Sequence, residues 1–158
     1  LLLLEPVAER REIRIVRRFA PNLPALTADA DLIARAVTNL LANAVKFSPP
    51  RHDVIVEAFA ESDFLRIEVK DRGCGIPPES IPFIFEKFYR APRSPLLEEE
   101  DDAPGVGMGL AFVRDIAQLH GGRVTVESEA GAGSVFTLRL PFIQERFDNS
   151  KEKVFSHE

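Results

Sequence analysis

Over residues 31–47 the apolar side chains Leu32, Ile33, Ala36, Val37, Leu40, Leu41, Ala44 and Val45 recur at three- and four-residue spacing. That spacing predicts an amphipathic helix with one face committed to a core. Asp29 or Asp31 is available as its cap, and Pro49 with Pro50 as its stop. Residues three and four apart stack on one side of a helix, so Asn39, Asn43 and Lys46 share the face that remains. Around this helix the chain alternates as strands do. Residues 12–19 form a half-buried strand bounded by Pro21 and Pro24, and residues 54–60 and 64–71 read as a hairpin turning at Glu61, Ser62 and Asp63. Residues 123–128 and 134–141 form two more strands about the turn of Gly131 and Gly133.

Between these elements, residues 79–88 read as a short helix whose regular part Pro82 confines. Residues 110–120 restore helical spacing and end at Gly121 and Gly122. Residues 91–104 hold three prolines and an acidic run at 98–102, which predicts a mobile surface loop acting as a lid. Residues 143–158 read as a flexible tail and residues 1–11 as a linker remnant, leaving one domain over residues 12–142. The 158 residues suffice for one domain with a real core. A net charge of −5 disfavours a general nucleic-acid binder. Cys74, the one cysteine, excludes an internal disulfide framework and a zinc cluster and fits a reducing compartment. No apolar run approaches the roughly 20 residues of a membrane helix, so a soluble domain without direct membrane contact is expected.

Four segments carry chemistry, in this order: Asn39, Asn43, Lys46 and Phe47; then Asp71, Gly73 and Gly75; then the aromatic and basic box Phe85, Phe88, Tyr89 and Arg90; then Gly105, Gly107, Gly109 and Leu110. Together they supply what a nucleotide site needs. The amides and the lysine suit a metal and phosphates, the carboxylate suits a base amine, and the glycines admit backbone N–H groups to an anion. Each segment alone also has a plainer reading. The asparagine face reads as the solvated side of a helix, the Asp71 segment as a turn, and Arg90 as a surface arginine.

These boxes, with the closing Gly131, Gly133, Ser134, Phe136 and Thr137 hairpin, resemble the catalytic ATP-binding domain of bacterial sensor histidine kinases. The wider superfamily includes gyrase-type ATPases, heat-shock chaperones, mismatch-repair proteins and anti-sigma kinases. The resemblance implies an α/β fold of the Bergerat type, a two-layer sandwich of a mixed, mostly antiparallel sheet on about three helices. It implies ATP and Mg²⁺ as ligands, with the Asn43 oxygen on the metal, Asn39 and Lys46 facing the phosphates, Phe47 in the nucleotide-binding set, and Asp71 accepting from the adenine amine. It further implies that Gly73 and Gly75 let the backbone pass close to the base, that Ile76 lines its apolar pocket, and that Thr137 belongs to the same nucleotide-binding set. Gly105, Val106, Gly107, Met108, Gly109 and Leu110 would cradle phosphate, and Arg90 would reach the terminal phosphate. Phe85, Phe88 and Tyr89 read as packing residues.

His52, His120 and His157 lie outside the context that the family uses for its phosphoacceptor, and His120 reads as a last-turn residue meeting the helix dipole. No general base is assigned. The resemblance therefore implies γ-phosphoryl transfer to a histidine on dimerisation helices absent from this chain, with a response regulator downstream and a cytoplasmic location, the parent being an inner-membrane sensor in some cases. The alternative is a nucleotide-gated binding module of the anti-sigma or chaperone type.

Overall fold

The computed structural model describes residues 4–92 and 107–142. Three helices, α1 (Glu5–Arg10), α2 (Ala30–Phe47) and α3 (Gly109–Leu119), accompany five strands, β1 (Arg14–Phe19), β2 (Asp53–Glu61), β3 (Phe64–Asp71), β4 (Arg123–Glu129) and β5 (Gly133–Pro141). The strands form one sheet in the order β1-β2-β3-β5-β4. Its β1–β2 pair is parallel and the rest antiparallel. A parallel neighbour requires a crossover, and α2 supplies it. The expected mixed sheet with three helices is the fold observed.

Asp29 caps α2, accepting the Leu32 N–H at 3.0 Å, so of the two candidate caps it is Asp29 that works. The buried stripe of α2 is Ala36, Leu40, Leu41, Ala44 and Val45. It packs on the face of the sheet carrying Val54, Val56, Ile67, Val69, Phe136 and Leu138, and Val113, Ile116 and Ala117 of α3 complete the core. Register fixes this face, because Val56 opposes Val69, Val69 opposes Phe136, and Ile67 opposes Leu138. The opposite face is an ionic lattice. Lys70 bridges Glu57 at 2.6 Å and Glu68 at 2.8 Å, and Arg66 reaches Glu68 at 2.6 Å and Glu61 at 2.8 Å.

Residues 1–11, expected as a linker remnant, instead contribute α1, whose Ala8 is buried in the core beside half-buried Leu4 and Val7. Pro6 stands in the first turn, where a missing N–H is harmless. The short helix expected over 79–88 is also corrected: only Ile81–Phe83 forms a 3-10 turn. Its bonds run three residues back, Phe83 N–H to Ser80 and Glu86 N–H to Phe83, and Phe88 turns to a positive φ of 66°. Most of the 91–104 loop, all of the 143–158 tail, Gly105, Val106 and His157 lie outside the described residues.

Candidate functional site

Asp71 ends β3 opposite Ser134 of β5, and Ser134 in turn opposes Ser128 of β4. Directly paired residues share a face, so these three polar residues form one row across three strands, on the helix side of the sheet and beyond the last apolar pair. The Asp71 carboxylate takes the Gly73 N–H at 2.8 Å and is also bonded by the Ser134 N–H. Burial raises its pKa from the ordinary value and the two N–H groups pull it back. The side chain is half-buried and, among the described residues, keeps lone pairs unused.

Gly73 brings this row to the end of α2. A Cβ there would lie 2.4 Å from the Phe47 carbonyl oxygen. The next glycine is required by a different neighbour: at Gly75, φ is +68° and a Cβ would lie 2.0 Å from the Glu129 oxygen. At both glycines the close neighbour is protein backbone. The loop is held to the β4–β5 hairpin by Gly131 N–H to Cys74 O at 2.7 Å and Ile76 N–H to Ser128 Oγ at 2.8 Å.

The other boxes converge at the far end of the same helix face. A Cβ on Gly109, the first residue of α3, would lie 3.3 Å from Asn39 Oδ1, so Asn39 sits against the start of α3. Its Nδ2 donates back to Arg35 O at 3.1 Å, which leaves the oxygen toward α3. The N-cap position of α3 holds Met108, whose side chain makes no cap bond. Among the described residues no side chain takes the first N–H groups of α3, the groups that a helix start offers to an anion. The aromatic box reaches the same point, Phe88 N–H donating to Gly107 O at 2.9 Å. A cavity of about 310 Å³ opens there, lined by Asn39, Met108, Gly109, Arg35 and Lys87 among others. Asn43 and Lys46 lie between the two ends, both half-buried. No hydrogen bond or ion pair within the described residues engages either head group, although Lys46 Nζ stands 5.8 Å over the Phe47 ring. Among the described residues no cluster of three or more His, Cys, Asp or Glu side chains could cage a metal.

Three expectations are corrected. Thr137 opposes Glu68 and Thr125, on the ionic face of the sheet and across it from Asp71, so it cannot line the same pocket. Strand alternation explains the miss: residue 137 is an odd step from Ser134, and Ser134 is the hairpin residue beside Asp71. Phe88 does not pack, being 69% exposed, whereas Phe85 meets Phe136 edge-on at 6.3 Å and Tyr89 Oη donates to Ser80 Oγ at 3.0 Å. His120 is more than a dipole partner. Only 5% exposed, it accepts the Asp29 N–H at Nε2 (3.1 Å), and so donates from Nδ1 to Ile116 O (2.8 Å) as the neutral tautomer. It ties the end of α3 to the start of α2. The remaining expected residues stand as follows: Leu110 and Ile76 are half-buried against the core, Met108 and Phe47 are partly open, and Arg90 is exposed.

Residues 28–144 match the family model described as histidine kinase-, DNA gyrase B-, and HSP90-like ATPase. The sensor protein RprX of Bacteroides fragilis is 35% identical over 138 residues, covering 86% of this chain and 26% of that protein. The sensor histidine kinase WalK of Bacillus subtilis is 33% identical over 140 residues, covering 85% of this chain and 22% of its own length. The chain thus spans about a quarter of the curated relatives it matches. Among solved structures, the mycobacterial sensor histidine kinase MprB aligns with a TM-score of 0.70 at 31% identity, over 87% of this chain and 88% of that one. Full-length ShkA, solved in complex with AMPPNP, aligns with a TM-score of 0.75 at 31% identity, over 90% of this chain and 28% of that one.

Proposed function

This chain belongs to the family of histidine kinase-, DNA gyrase B- and HSP90-like ATPases, and from that premise we propose that it is the ATP-binding catalytic domain of a two-component sensor kinase, passing the γ-phosphoryl group to a histidine on dimerisation helices. The observation that carries the reading is the convergence on one helix face of the Asn43 amide and Lys46 ammonium, both unengaged among the described residues, with Asp71 at one end and the start of α3 at the other.

The residues fit the nucleotide and its metal. Asn43 offers an uncommitted amide oxygen, a hard ligand of the kind that Mg²⁺ accepts alongside water and phosphate oxygens. Mg²⁺ bound there would neutralise phosphate charge. Lys46 adds a compact positive charge, the first N–H groups of α3 hold phosphate oxygens with Asn39 beside them, and Arg90 reaches the terminal group. Asp71 accepts from the adenine amine, with Ile76 as an apolar wall. Phosphoryl transfer demands positioning and charge neutralisation more than covalent chemistry from the protein, and these residues supply both. No side chain of the site is assigned as base, so the nucleophile and its proton acceptor come from the acceptor helices. A response regulator then takes the group onward. The parent kinase acts on the cytoplasmic side of the membrane.

Joined to the dimerisation helices of a related sensor kinase and given γ-labelled ATP, the chain should place acid-labile label on the histidine. Label released only as free phosphate, at a rate indifferent to those helices, would contradict the kinase reading and favour a gating ATPase.

A further inference from the structure

The row formed by Ser128, Ser134 and Asp71 contains a hydroxyl whose bonds can be assigned by elimination. Ser128 Oγ lies 2.8 Å from the Ile76 nitrogen, 2.9 Å from the Gly133 carbonyl oxygen and 2.9 Å from Ser134 Oγ. A hydroxyl has one proton to give and two lone pairs to receive with. The Ile76 N–H can only donate, so it occupies one lone pair. The Gly133 carbonyl can only accept, so it takes the Ser128 proton. The Ser134 hydroxyl is then left one role, donating into the second lone pair of Ser128. Its proton is committed, and toward anything else Ser134 Oγ presents lone pairs alone.

From this geometry, and resting on the reading of Asp71 as the base-recognising carboxylate, we propose that Ser128 is a positioning residue that sets the purine selectivity of the site by holding Ser134 as an acceptor. Ionised Asp71 is acceptor-only, and its cross-strand neighbour is made acceptor-only by Ser128. A cavity of about 360 Å³ opens on this row, lined by Asp71, Ser128, Gly133 and Ser134 among others. A ligand edge carrying an amine satisfies two adjacent acceptors with its two N–H groups, directly or through one bridging water. An edge carrying a carbonyl oxygen at the same position meets lone pairs twice. Adenine carries the amine there and guanine the oxygen. Freed of Ser128, the Ser134 hydroxyl can rotate to donate, and the penalty against the oxygen falls. Ser128 itself does not touch the base.

The test measures dissociation constants of the full chain for ATP and for GTP, both with Mg²⁺, in the wild type, in Ser128→Ala and in Ser134→Ala. Ser128→Ala should lower the ATP-over-GTP preference by at least about fivefold, the worth of one neutral hydrogen bond. The loss falls on ATP while GTP binding holds or improves. Ser134→Ala leaves the Ile76 and Gly133 bonds to Ser128 in place and removes the acceptor, so it should lower the preference too; it decides the matter alone if Ser128→Ala fails to fold. A discriminating wild type whose preference survives both substitutions, or in which Ser128→Ala weakens both nucleotides by one factor, overturns the proposal and leaves Asp71 its role. A wild type that binds both nucleotides equally overturns the Asp71 reading and the proposal with it.

Discussion

Gly73→Ala tests whether the Asp71 loop depends on close contact with the end of α2. The new Cβ would lie 2.4 Å from the Phe47 carbonyl oxygen and 2.9 Å from both the Phe47 carbonyl carbon and Asp71 Oδ1, where Cβ atoms essentially never come within 3.0 Å. Two of these neighbours are backbone, so relief requires the loop and the helix end to part by at least about 0.6 Å, the gap between 2.4 and 3.0 Å. Overpacking of that kind costs about 1–3 kcal/mol, which in a domain of this size lowers Tm by about 2–10 °C. The same displacement moves the Gly73 N–H that holds Asp71 Oδ1 at 2.8 Å, so ATP affinity should drop about tenfold as well. Gly131→Ala is the control. Its Cβ would meet nothing within 4 Å, but its φ is +82°, so it should cost about 1 kcal/mol of backbone strain and leave affinity alone. Calorimetric titration with ATP and thermal melts of the three proteins decide it. Equal melts and affinities for wild type and Gly73→Ala, or equal affinity losses in both variants, would refute the reasoning.

Asp71→Asn should abolish the preference for adenine yet stabilise the unliganded fold. The folded-state pKa of Asp71 is raised, so its contribution is favourable below the unfolded pKa and lost as pH rises through the folded one. The gain from the never-charged amide is therefore full at neutral pH and shrinks through the carboxylate range; melts of both proteins at several pH values would show a constant difference if burial were not the cause. His120→Ala removes the bond from the start of α2 at Asp29 and the bond that anchors the ring to Ile116 of α3, and should cost about 2–4 kcal/mol with ATP affinity nearly intact; a melt within 1 °C of wild type would contradict the bridge. Leu40→Ala, in the stripe common to both layers, should cost about 2–5 kcal/mol in denaturant unfolding, and a cost under about 1 kcal/mol would place Leu40 outside the core.

The helix and the strands were legible because burial writes a period into sequence. Leu40, Leu41, Ala44 and Val45 report 3.6, and Ile67 and Val69 report 2, whatever lies across from them. Candidate site residues borne by such elements, Asn39, Asn43 and Asp71, could be grouped in advance for the same reason. What lay between elements was harder. Pro82 confines the 79–88 segment, yet nothing local shows that its bonds run three residues back and that regular helix is limited to Ile81–Phe83. Residues 5–10 carry too few apolar positions to betray a helix that only tertiary contact through Ala8 secures. The row of Ser128, Ser134 and Asp71 escaped because it is a register, Ser128 opposite Ser134 opposite Asp71, and register across non-consecutive strands is no property of any one segment. One signal was available. Counting two residues at a time back from Phe136 on the core face reaches Ser134, and the same count excludes Thr137.

The account stands or falls on nucleotide held through a metal at Asn43. Isothermal titration of the chain with ATP, with Mg²⁺ and again with chelator, in wild type and in Asn43→Ala, addresses it most directly. The account predicts that Mg²⁺ strengthens wild-type binding at least about tenfold. It also predicts that Asn43→Ala binds with one weak affinity whether or not the metal is present. Wild-type binding that is indifferent to Mg²⁺, or an Asn43→Ala protein that keeps the full enhancement, would contradict it.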